Sequence, residues 1–181
     1  GQLVERALGA GAGSTAAPDF AHLGVELKTV PVDPNGAPRE STFVCAIPLA
    51  EADAACWARS TARAKLAHVL FIPIVVDGGA MASRRLGRPR FFRPTPAEEA
   101  ILQSDFDLLV GMIGAGGAEA LTAHHGQWLQ VRPKAANAAA RTWAPDGEGA
   151  LVQTGPRGFY LRRRFVAAIL ADAAPVLDPR A

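Results

Sequence analysis

Leu23-Gly24-Val25-Glu26-Leu27-Lys28-Thr29-Val30-Pro31-Val32-Asp33 reads as a strand with two unlike faces. Side chains alternate along a strand, so Val25 and Leu27 point one way, into a core. Glu26 and Lys28 point the other way, about 7 Å apart. Asp33-Pro34-Asn35-Gly36 follows as a turn. Residues 41–48, with Thr42, Phe43 and Val44, then read as the returning strand of an antiparallel hairpin.

Working outward, residues 2–8 read as the last turns of a helix with Gly9 as its C-cap, and 9–18 as a loop of small residues and proline. Residues 49–67 are alanine-rich and predict a helix at least over 56–67. The run 69–76 is almost wholly apolar, as expected of a buried central strand. A basic loop is expected at 84–94. Thr95-Pro96-Ala97-Glu98 predicts a helix start, and Ile101, Leu102, Phe106, Leu109, Val110 and Ile113 continue it to Gly114. A short helix near 117–124, a strand at 127–131, a turn or helix at 133–140 and a closing helix at 160–173 complete the reading. The pattern predicts an α/β fold around a mixed, partly antiparallel sheet flanked by helices.

The chain has 181 residues, 49% hydrophobic and 20% charged, which suits a single domain over 1–181 and excludes wholesale disorder. Cys45 and Cys56 are too few for a disulfide scaffold and read as reduced packing residues, so a cytoplasmic location is expected. Nothing in the sequence is long and apolar enough to span a bilayer or serve as a signal peptide, so no membrane partner is expected. The first residue is Gly rather than Met, and an N-terminally truncated chain is the expectation. Phosphate-binding, dinucleotide and serine-hydrolase glycine motifs are missing, and the four histidines have no metal-ligand spacing with the cysteines.

Two groups of residues can carry chemistry. Asp19, just before the strand, can fold over its polar face and join Glu26 and Lys28. Two carboxylates bind a hard cation such as Mg²⁺ through oxygen. A neighbouring Lys can orient an attacking water or stabilise phosphoryl charge. That combination suits metal-assisted phosphodiester hydrolysis, although a solvated ion pair on an exposed strand has the same spacing. Glu5 on the first helix is a further candidate acid, and Lys65 near a helix end is a further basic residue that also suits the negative end of that helix.

The second group is basic. The chain has 16 Arg and 3 Lys for a formal net charge of +2. Arg84, Arg85, Arg88, Arg90 and Arg93 surround Phe91-Phe92. Arg132 and Lys134 flank Pro133, and Arg157, Arg162, Arg163 and Arg164 surround Phe159-Tyr160. Arginines among aromatics suit a surface that follows phosphates and reads guanine edges, or simply a solvated charged face.

Asp19-Phe20 and residues 23–33, together with Ser41-Thr42-Phe43-Val44-Cys45, Val131-Arg132-Pro133-Lys134-Ala135-Ala136-Asn137-Ala138 and Pro156-Arg157-Gly158-Phe159-Tyr160-Leu161, closely resemble the MutH family of mismatch-repair endonucleases. The blocks run in order from about Leu3 to Leu170. The resemblance implies a restriction-endonuclease-like fold and Mg²⁺-dependent nicking of the unmethylated strand at hemimethylated GATC sites. It also implies a nuclease activated by MutL, which mismatch-bound MutS recruits. By the same resemblance, Asp19 and Glu26 match the metal-binding carboxylates, Lys28 the catalytic lysine, Glu5 an additional active-site glutamate and Lys65 a further active-site lysine. Arg132, Pro133 and Lys134 match a loop that meets the DNA, Phe43 an aromatic that contacts DNA, and Tyr160 a tyrosine near the adenine whose methylation is sensed. The family also contains enzymes that cut both strands of GATC, so a type II restriction endonuclease is one alternative. A catalytically silent DNA-binding module is another. Family members begin several dozen residues earlier, and the Arg84–Arg93 loop is more basic than the family pattern.

Overall fold

The computed structural model describes residues 2–10, 17–80, 84–122, 124–134 and 139–171. The expected central strand is β3, Val69–Val75, and its backbone is paired along both edges. β1, Glu26–Val32, runs parallel to it from Glu26 opposite Val69 to Val32 opposite Val75. Two short strands, β4 (Arg85–Leu86) and β5 (Arg90–Phe92), pair antiparallel along the other edge. The segment expected as a basic loop therefore closes this sheet.

The expected β1–β2 hairpin does not form. The Asp33 turn is present, with its carboxylate accepting the backbone N–H groups of Asn35 and Ala37. The returning chain makes one bridge, Val32 to Pro38, and leaves. Arg39 N–H still donates to the Pro31 carbonyl at 2.9 Å, but proline has no N–H, so Pro31 cannot return the bond and the rung stays incomplete. β2, Thr42–Ala46, instead joins a second, antiparallel sheet. Its centre is β9, Arg157–Leu161, with β2 on one side and β6, Leu129–Pro133, on the other. A separate hairpin pairs β7, Thr142–Pro145, with β8, Leu151–Thr154.

The helices also differ in part from expectation. α1 (Gln2–Ala7) ends as predicted at Gly9, whose φ is 69°. The alanine-rich segment is two 3₁₀ turns, Leu49–Ala54 and Trp57–Arg59, followed by α2, Thr61–Leu66. Ser60 stops one and starts the other: its extended backbone breaks the spiral, and its hydroxyl caps Arg63 N–H. α3 runs Pro96–Gly114, opened by a capping box between Thr95 and Glu98. Residues 118–120 form a turn, not a helix. The closing helix α4 spans only Arg163–Leu170, because Tyr160 belongs to β9. Residues 135–138 and 172–173, part of the expected 133–140 and 160–173 elements, lie outside the described residues.

One core joins the sheets. In the first sheet Phe71 packs on Phe92, and Phe92 meets Phe165 of α4, which stacks on Trp128 at 4.3 Å. Phe106 of α3 packs between Trp57 and Phe159 of the second sheet. Each buried ring of this kind contributes about 1.5–3 kcal/mol. The chain from α3 to the second sheet is pinned by Asp105, buried on α3, whose carboxylate accepts the N–H groups of Gln127, Trp128 and Leu129 at 2.7–2.8 Å. That anchor sets where β6, and so Arg132, begins.

Candidate active site and nucleic-acid interface

The polar face of β1 is buried rather than solvated. The Glu26 side chain is 2% exposed and that of Lys28 is 13%, and their charged atoms are 2.6 Å apart. Lys65 of α2 reaches the same carboxylate from the other side, with Nζ 3.0 Å from both oxygens. Its expected role at the helix end is therefore superseded by a buried ion pair. Lys65 also donates to the carbonyl of Ala17 at 3.4 Å, tying down the segment that carries Asp19. Asp19 folds back as expected, and its Oδ2 accepts Leu27 N–H at 2.9 Å. Two ammonium groups on one buried carboxylate give a compact cluster with excess positive charge.

Lys28 also bridges the two sheets. The β2–β9 register slips between Phe43 and Cys45, which leaves Val44 as a bulge residue. Its carbonyl accepts from Lys28 Nζ at 3.4 Å. A bulge re-aims neighbouring side chains; here Phe43 lies 6.0 Å from the Lys28 ammonium and meets Tyr160 edge to face at 5.3 Å. Gly158 of β9 makes this possible, because a Cβ there would lie 2.8 Å from Phe43 Cε2.

A cavity of about 530 Å³ opens over this junction. Glu5, Lys28, Phe43, Arg132, Pro133 and Tyr160 line it, together with Glu40 and Ser41. Lys134 Nζ stands 4.3 Å above the Phe43 ring, and the Arg132 guanidinium lies 5.9 Å from the Tyr160 ring. Arg132 is oriented by the Ser41 hydroxyl at 2.7 Å. Burial, and to a lesser degree Glu40, push the Tyr160 phenol above its usual range, while Arg132 pulls it down. The net direction keeps it a neutral donor.

Lys28 stands in the cavity wall with Glu26, Lys65 and Asp19 adjoining it, so candidate residues spread from Glu5 to Tyr160 in the sequence converge on one place. Sequence reasoning misses Glu40 and the partnership of Ser41 with Arg132. The cysteine reading holds for Cys45, whose thiol burial pushes up to about 11. Cys56 is exposed, because the expected helix that would have packed it is a 3₁₀ turn. The Arg84–Arg93 cluster lies on the far edge of β3 from β1.

The carboxylates suit one kind of cation. Among the described residues no three His, Cys, Asp or Glu side chains gather to hold a metal. Glu26 and Asp19 offer hard oxygens, and Mg²⁺ is commonly held by one or two carboxylates with waters and phosphate completing its shell. Both side chains are hard-oxygen donors, and both Glu26 oxygens also accept from Lys65.

The sequence profile of the DNA mismatch repair enzyme MutH matches residues 8–105, more than half of the chain. The chain belongs to the MutH family. It is similar to the DNA mismatch repair protein MutH of Shewanella oneidensis, 46% identical over 171 residues that make up 94% of this chain and 77% of the relative. The MutH of Shewanella baltica gives the same figures, and that of Shewanella putrefaciens is 45% identical over 174 residues, 96% of this chain and 78% of the relative. The MutH match contains β1, Asp19, Glu26, Lys28, Phe43 and Lys65. The mixed sheet with flanking helices is the restriction-endonuclease-like α/β fold that the resemblance implies. Among the described residues no helix is long and apolar enough to cross a membrane.

Proposed function

We propose that this chain is a mismatch-repair endonuclease that nicks the unmethylated strand of hemimethylated GATC sites, with Mg²⁺ as cofactor and MutL, recruited through MutS, as activator. The observation that carries the reading is Lys28: one ammonium belongs to the buried Glu26 cluster and to the cavity lined by Arg132 and Tyr160. Hydrolytic and DNA-reading groups can then act on one duplex.

Asp19 and Glu26 would hold the Mg²⁺, which supplies polarisation of a phosphate oxygen and a more acidic bound water. Lys65 fixes the Glu26 carboxylate from behind. Lys28 presents its ammonium toward the phosphate, where it can orient the attacking water and offset charge that builds in the transition state. Glu5 stands across the cavity as an additional acid. Arg132 suits bidentate reading of guanine, with Pro133 and Lys134 beside it and Phe43 as a wedge or stacking surface. Tyr160 meets an adenine edge. A methyl on N6 removes a donor and adds bulk in the major groove, which an aromatic wall can sense.

The test is nicking of a circular plasmid with one hemimethylated GATC site, in Mg²⁺, with and without MutL. The expected product is a nick in the unmethylated strand, faster with MutL. Cutting of both strands in unmethylated DNA without MutL would indicate a restriction enzyme. Binding without turnover at any metal concentration would indicate a silent module.

A further inference from the structure

A second cavity, of about 600 Å³, adjoins the first and shares Glu40, Ser41 and Arg132 with it. Arg39, Arg162, Arg163 and Arg164 line the rest of its wall with Gln130. Five guanidinium groups thus surround one concavity in which, among the described residues, Glu40 is the one acidic lining residue. Neutral oxygens orient four of them, Arg39, Arg132, Arg162 and Arg163. Arg132 holds the Ser41 hydroxyl at 2.7 Å, and Arg163 the Pro38 carbonyl at 2.8 Å. Arg162 holds the carbonyls of His125 and Gly126 at 2.9 and 2.7 Å, and Arg39 that of Val76 at 3.4 Å.

The local cost of this arrangement is visible in two ways. Arg162 is held below its usual range by burial and then by Arg164, with Asp105 acting in the opposite sense. α4 begins at Arg163 and has no acid in its first turn, so cations stand at the end of a helix that favours anions. An anion in the cavity relieves both. Guanidinium forks match phosphodiester oxygens, and several of them at once suit a chain of phosphates better than one isolated ion.

We propose that this arginine-lined cavity binds the backbone phosphates of duplex DNA that flank the bases held in the first cavity. The inference rests on the nucleic-acid reading above and extends it to residues outside that site. Arg132 is common to both cavities, so one continuous duplex can contact both; this favours DNA over a separate acidic protein partner.

The test is equilibrium binding of fluorescent duplexes, without divalent metal, across a range of salt concentrations. One duplex barely covers the recognition sequence, and the other carries long flanks. The double variants R39Q/R163Q and R39K/R163K are compared with the unaltered chain. Each phosphate neutralised contributes about 0.9 to the slope of log affinity against log salt, so R39Q/R163Q should lose about 1.8 on the long duplex. R39K/R163K should keep most of the slope, and all three proteins should agree on the short duplex. An unaltered slope in R39Q/R163Q would overturn the proposal, leaving the arginines to face some other partner. So would equal losses in the Lys and Gln variants, which would mark a structural role. If the unaltered chain bound the long duplex with no salt dependence, the nucleic-acid reading itself would fail along with it.

Discussion

The Glu26 cluster and the Arg132 wall meet through Lys28, which lines the cavity, yet the first is buried and the second exposed. Lys28 and Lys65 each hold the Glu26 carboxylate within 3.0 Å, in a region where water screens little. Arg132, Pro133 and Lys134 stand in solvent, where charges act across about 10 Å and fade with salt. The difference separates two tasks. A hydrolytic centre needs charges at fixed positions, and burial with mutual pairing supplies that. A surface that meets many phosphates needs reach and reversibility, and exposed Arg and Lys over aromatic rings supply those.

The contrast breaks most visibly at Lys28. Lys28→Ala removes the ammonium common to both regions, and cleavage should fall about 10²–10³-fold, as when one transition-state donor is lost. Duplex affinity measured without metal should change far less. A comparable fall in both would mean that Lys28 merely holds DNA.

Lys65→Met tests the buried half alone. Breaking a buried ion pair costs about 3–5 kcal/mol, but Glu26 keeps Lys28, so a loss of about 2 kcal/mol is expected by denaturant unfolding. The change should be nearly independent of salt. A salt-sensitive loss would mean that the cluster is open to solvent.

How far this centre is legible in the sequence follows from which contacts are local. Asp19, Glu26 and Lys28 lie within one strand and its approach, so alternation alone puts the last two on one face, and the structure confirms the contact. Lys65 lies 39 residues from Glu26, and a six-residue helix offers no pattern that names such a partner. The hairpin expectation fails for a related reason. The Asp33 turn is local and does form, but turn residues do not say what the following strand pairs with, and Pro31 has no N–H to complete the rung opposite Arg39. β9 escapes notice because Arg157-Gly158-Phe159-Tyr160-Leu161 has no alternation and runs into the Arg-rich start of α4. Its glycine is the one readable clue, since the close approach of Phe43 requires it.

The exposed half is sharpened by Arg132→Ala. If Arg132 reads a guanine, the preference for GATC over a scrambled duplex should fall by about 1–3 kcal/mol. Equal weakening on both sequences would make it a phosphate contact.

The smallest effect concerns Tyr160, the only tyrosine in the chain, so phenolate absorbance reports on it alone. Its midpoint should lie above the ordinary value of 10.0. Arg132→Ala should raise it further, because the stabilising cation is lost. Glu40→Gln should lower it. A raised value favours the protonated folded state, so this contribution to stability is complete below the ordinary value. It fades as pH rises through the raised one. An unshifted titration would place Tyr160 in open solvent, away from the cavity.

The most direct test of the account is Glu26→Gln, with cleavage and duplex binding measured on the same preparation. The substitution keeps the shape of the side chain but removes the charge that both lysines hold. The account predicts that Mg²⁺-dependent nicking is lost while affinity for the GATC duplex stays within about threefold, well under 1.4 kcal/mol. Retained nicking, or nicking and affinity lost together, would contradict the division between a buried hydrolytic centre and an exposed DNA-holding wall.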